Sequence, residues 1–175
     1  MCNFAGELSI EDYIEWYILY IPKAVYGWGL GIFLVVMLLL MVWKGVGQGF
    51  RYATVVLLVE YLALLFYFAV LIRSVSEGRI DWRPLWSYKA IMDGCKVLIQ
   101  EHVMNVAVFV PVGLMLGIIL KQRAWWTALL IGMGVSVGVE VSQLMMNRGL
   151  CEVDDVIHNT LGCAIGYGLL WKLRK

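Results

Sequence analysis

The chain has 175 residues, of which 62% are hydrophobic and only 15% charged, a balance suited to hydrocarbon rather than water as solvent. Its formal net charge is +1 and the basic residues form no stripe or patch, which sets nucleic acid aside as a partner. Cys2, Cys95, Cys151 and Cys163 contain no Cys-x-x-Cys pair, and only His102 and His158 could join them, so the pattern offers neither a zinc site nor a cofactor motif.

In chain order, the acidic residues Glu7, Glu11, Asp12 and Glu15 precede the first apolar run. A signal peptide has a positive leading region instead, so the N-terminus reads as mature protein. Ser9 to Asp12 has the form of a capping box, and Ile10, Tyr13, Ile14, Tyr17 and Ile21 recur at helical spacing until Pro22. An amphipathic helix lying in the membrane interface is therefore expected over residues 9–21.

Five transmembrane helices follow, over residues 24–43, 53–72, 103–120, 125–146 and 156–171. The first two run for 20 residues each, enough at about 1.5 Å per residue to cross a core of about 30 Å. The fifth is shorter and rich in glycine, as a span in a thinned or protein-covered setting would be. The expected fold is thus all-α, a polytopic helical bundle forming a single membrane domain over residues 1–175.

The connections at residues 44–51 and 121–123 and the end at 172–175 carry seven basic residues and no acid, whereas the opposite side mixes seven basic residues with eleven acids. By the positive-inside rule the former are cytoplasmic, which puts the N-terminus outside and the C-terminus in the cytoplasm. The long loop at 73–101 and the turn at 147–155 then face outward. Cys95 and Cys151 fall on that side, where a disulfide would be allowed, although free thiols are the default expectation.

The strongest chemical signal is in the last two spans. Ser136, Glu140, Gln143 and Asn147 fall at i, i+4, i+7 and i+11 and draw one polar line along a helix face. Asp155, Asn159, Gly162 and Gly166 repeat the spacing on the fifth span. Facing lipid either line would be costly, so the two are expected to face each other, with the glycines letting the backbones approach. Glu140, Gln143, Arg148, Asp154, Asp155 and Asn159, completed by Asn105 from the third span, form the candidate ligand site. The plainer alternative is that these groups only tie helices together.

Other features weigh less. Glu60 in the second span needs a partner or a proton there, and a proton-carrying role is one reading of it. His102 and His158 read as hydrogen-bond partners of neighbours rather than bases. The pairs Gly27 and Gly31, Gly113 and Gly117, Gly134 and Gly138, and Gly162 and Gly166 are packing signals. Trp82, Arg83, Pro84, Leu85, Trp86 and Tyr88 interleave cations with rings, as an interfacial anchor or a surface stacking on sugars or an aromatic antibiotic would.

The run Glu140-x-x-Gln143, then Arg148, then Asp154-Asp155-x-x-x-Asn159-x-x-Gly162-x-x-x-Gly166 resembles the closing signature of the VanZ-like family. Asn105-x-x-x-Phe109-x-Pro111-x-Gly113 is similar to an upstream motif of the same family, whose core would span about residues 80–170. In the long loop only Pro84 matches, with Asp81 and Leu85 where asparagine and phenylalanine are common. The resemblance implies a role in lowering susceptibility to teicoplanin-type glycopeptide antibiotics.

Three functions follow as expectations. The first is a non-enzymatic membrane protein whose outer site binds a lipid headgroup, a lipid-linked cell-wall precursor or the glycopeptide antibiotic, with Arg148 on phosphate or carboxylate. The second is an enzyme on a lipid-linked substrate, using Glu140 with Asp154 or Asp155 as acid and base or to hold Mg²⁺. The third is a lipid or proton-coupled transporter using Glu60 and Glu140.

Overall fold

The computed structural model describes residues 46–73, 75, 79–120 and 124–173. The interfacial helix at 9–21 and the first span at 24–43 lie outside the described residues. Five helices are seen: α1 (Val46–Phe66), continued by a π-helical segment (Tyr67–Leu71), α2 (Trp86–Met92), α3 (Val97–Ile119), α4 (Trp125–Met145) and α5 (Val153–Leu173). The stretches Gln48–Leu71, Val97–Ile119 and Trp125–Met145 are each long and apolar enough to cross a membrane. In that solvent only a helix satisfies its own backbone without help, which is why these runs are helical end to end.

Two corrections concern the connections. The all-helical expectation omits a short parallel ribbon, in which β1 (Arg79–Asp81) pairs with β2 (Leu150–Glu152) in the register Arg79 with Leu150, Ile80 with Cys151 and Asp81 with Glu152. The third helix also starts at Val97 rather than 103, so Glu101 stands on α3 instead of in the loop. Cys151 lies on the ribbon as a free thiol, whereas Cys95 is disulfide-bonded. The Cys95–Cys151 bridge is therefore not formed.

α5 packs against both α3 and α4, and glycines set how closely. A Cβ on Gly113 would lie 2.0 Å from the Cys163 carbonyl oxygen, one on Gly162 2.1 Å from that of Val106, and one on Gly166 2.1 Å from that of Val110. Gly162 and Gly166 thus seat α5 on α3, not on α4 as their spacing suggested. The α4 contact is made at Gly132, where a Cβ would come 2.6 Å from Cys163 Sγ. Among the described residues, Gly134 and Gly138 have nothing within 4 Å, so that pair meets none of the helices α1 to α5.

The buried centre consists of Phe109, Val112 and Leu116 of α3, Ala128 of α4, and Cys163 and Tyr167 of α5, with Leu58, Tyr61, Leu62 and Leu65 of α1 packed against it. Outside this core the surface stays apolar. Leu130, Met133, Val137 and Val141 of α4 and Ile157, Leu161, Ile165 and Leu169 of α5 are all exposed, a surface that lipid tails would cover. At one end Arg51 Nη2 donates to the Ile119 carbonyl at 2.6 Å, satisfying an orphan acceptor at the C-terminus of α3. The other end carries the polar residues.

Candidate functional site: a polar cluster at one end of the bundle

The three inner members of the α4 polar line are buried, with Ser136, Glu140 and Gln143 at 0%, 3% and 2% exposure. Asn147 instead ends the helix in a left-handed conformation, φ 53°, and the Arg148 N–H returns to the Gln143 carbonyl at 2.8 Å, a C-terminal capping arrangement. The chain folds back through this turn. β2 is thereby laid beside α4, and the Glu152 N–H donates to Glu140 Oε2 at 3.1 Å. Gln143 Nε2 donates to the Ala69 carbonyl at 2.9 Å in the π-helical segment, while its Oε1 is buried with no partner among the described residues.

One turn deeper, Asn159 Nδ2 donates to Ser136 Oγ at 2.8 Å, joining α5 to α4. Asn159 Oδ1 is likewise buried without a partner. The structure therefore brings the α4 residues Ser136, Glu140 and Gln143 to the same end of the bundle as Asn159 and the start of α5.

The consecutive aspartates in the first turn of α5, where the helix dipole favours negative charge, separate into two roles. About 100° of helical rotation between them turns one to the loop before α3 and the other to α3 itself. Asp154, 1% exposed, accepts the Leu85 and Ser87 N–H groups and the Ser87 hydroxyl. It pins the start of α2, where Leu85 adopts φ 61°, to the start of α5. Asp155 Oδ1 accepts from Asn105 Nδ2 at 2.7 Å. Tyr88 Oη lies 2.8 Å from His158 Nε2, and His158 stacks on His102 with ring centroids 4.0 Å apart. The loop is thus closed down over α3 and α5. Within the loop, Arg83 is already engaged, since it pairs with Asp81 and lies over the Trp86 ring.

Arg148 is not placed as the ligand cation. Its Nη1 donates to the carbonyls of Leu71 and Arg73, the latter at 2.8 Å, so it caps the end of the helix running from α1. The cation facing the carboxylates is Arg73, whose charge acts on Glu101, Glu140 and Asp155. A Cβ on Gly149 would come 3.0 Å from Arg73 Nη1 and 3.7 Å from Gln143 Oε1. A side chain at this position, where φ is 147°, would therefore crowd the Arg73 guanidinium. Sequence reasoning missed Arg73, Glu101 and Glu152. Glu152 stands two residues ahead of Asp154, an acidic run that was there to be seen. Burial, then the charges of Asp155, Glu101, Asp81 and Asp154, pushes its carboxyl up to about 7.

Apolar helices long enough to cross a membrane, closed at one end by a buried polar cluster, define a membrane protein with a polar site at the edge of its apolar layer. A family model described as VanZ/LLP1 matches residues 32–174, and the chain belongs to the VanZ/LLP1 family. No curated protein and no solved structure matches it.

Proposed function

We propose that this VanZ-family protein spans the membrane several times and holds the polar head of a lipid or lipid-linked cell-wall precursor in the cluster around Glu140, at the outer face. In this reading the N-terminus is outside, the C-terminus is cytoplasmic, and occupancy of the site lowers susceptibility to teicoplanin-type antibiotics without a chemical step. The observation that carries it is Gln143 Oε1, an acceptor buried with no partner in a cluster of carboxylates. An unsatisfied buried acceptor costs about 1–3 kcal/mol, which a ligand donor would recover.

Support for an enzyme is narrower. It rests on the buried Glu140 and the neighbouring half-buried Glu152 as two carboxyls, the arrangement acid and base chemistry on a lipid-linked substrate would use. The transporter reading draws no support from Glu60, which no hydrogen bond reaches among the described residues.

The test is teicoplanin susceptibility in cells expressing the protein or its Glu140→Gln variant at equal membrane levels. Protection by the parent and its loss in the variant is the expected result. Equal protection by both removes the cluster from the function.

A further inference from the structure

We propose that the head bound at this site carries a primary ammonium group. The inference rests on the headgroup-binding reading and names the chemistry that reading leaves open.

The first argument is charge. Asp155 acts electrostatically on Glu101, Glu140 and Glu152, and Glu152 on Glu140, so four carboxyls share one small region. Arg73 faces them, and His158 also acts on Asp155. Among the described residues Arg73 forms no ion pair. Arg148 is held on backbone carbonyls, and Lys89 and Lys96 are not among the charges acting on these acids. Among the residues whose side chains are described, acid therefore outnumbers base, and a cation would relieve the excess.

The second, independent argument is hydrogen bonding. Gln143 lies one turn along α4 from Glu140 on the same buried face, 2% exposed, with its amide nitrogen taken by Ala69. What remains is Oε1, which can only accept. It lies close to Gly149 and Arg73, the same guanidinium whose charge reaches Glu140 and Asp155. Carboxylates and this carbonyl together make a site of acceptors. An ammonium group supplies three donors and no acceptor, and bonds from a charged donor to carboxylates are about twice as strong as neutral ones.

Size distinguishes this ligand from a bare metal ion. Among the described residues no three histidine, cysteine or carboxyl side chains converge as a metal requires. Spread acceptors suit a polyatomic donor with several N–H directions. A trimethylated ammonium has the charge but no N–H to give, so it serves as the discriminating control.

The experiment uses the full chain in detergent and reads its thermal unfolding midpoint with added phosphatidylethanolamine, phosphatidylcholine, phosphatidylglycerol or free ethanolamine. Phosphatidylethanolamine should raise the midpoint by about 3 °C or more, and the other two lipids should not. A rise with free ethanolamine as well assigns recognition to the amine alone, and its absence assigns it to a lipid-borne amine. Glu152→Gln, which relieves crowding and should fold at least as stably, should abolish the gain, as should Gln143→Met. An equal rise with phosphatidylcholine overturns the ammonium while leaving headgroup binding intact. No response to any headgroup removes both, and an undiminished gain in both variants removes the ammonium from this cluster.

Discussion

Asn159 on α5 reaches Ser136 on α4 through a 2.8 Å hydrogen bond, and both side chains are almost wholly buried. The bond lies between two helices that present apolar stripes outward, so water does not compete for it. In membranes such bonds average about 0.6 kcal/mol and reach about 1.7. A double-mutant cycle with Ser136→Ala and Asn159→Ala, read by unfolding in detergent, should give a coupling energy of about 1 kcal/mol. A coupling near zero would mean that the two helices do not depend on this contact.

Glycine at position 162 is required by backbone contact. Its added Cβ would meet the Val106 carbonyl at 2.1 Å, which no rotamer can avoid, so α5 would have to move off α3. Gly162→Ala should destabilise the bundle by about 2 kcal/mol or more. Gly134→Ala, whose Cβ meets nothing within 4 Å, should leave the unfolding midpoint unchanged or raise it slightly through helix propensity.

Arg148 should behave as a helix cap. Arg148→Ala removes the donor to the Leu71 and Arg73 carbonyls and should cost about 1–2 kcal/mol of stability. Ligand affinity, measured under conditions where the variant remains folded, should stay near the parent value. A variant of full stability that had lost ligand binding would instead restore Arg148 to the site.

The acidic cluster makes stability depend on pH. The Glu152 carboxyl is raised from 4.5 to about 7, so the folded protein binds this proton more tightly than the unfolded chain does. Between about pH 4.5 and 7 its contribution to stability falls as pH rises, the penalty being fully present above about 7. Unfolding midpoints measured across that window should decline with pH in the parent. Glu152→Gln should decline less steeply and be the more stable of the two at pH 8.

Long apolar runs made the helices at 53–72, 103–120 and 125–146 legible, because the hydrocarbon solvent leaves the backbone little choice. The polar line through Ser136, Glu140 and Gln143 was legible for a similar reason, since a period near 3.6 assigns residues to one face. Spacing assigns a face but not the neighbour it meets. Gly162 and Gly166 therefore meet α3 rather than α4, and Gly134 and Gly138 meet no neighbour among the described residues. Asp154 finds Ser87, and Arg73 faces Glu140, across more than sixty residues of chain, which no local pattern encodes. Three-residue strands such as β1 and β2 are too short to show alternation.

Native mass spectrometry of the protein extracted directly from its membrane tests headgroup binding most directly. The parent should carry a bound lipid or lipid-linked precursor as a discrete added mass, and Glu140→Gln, folded and present in equal amount, should lose it. The same adduct retained on both proteins would contradict the site, as would a parent that carries none.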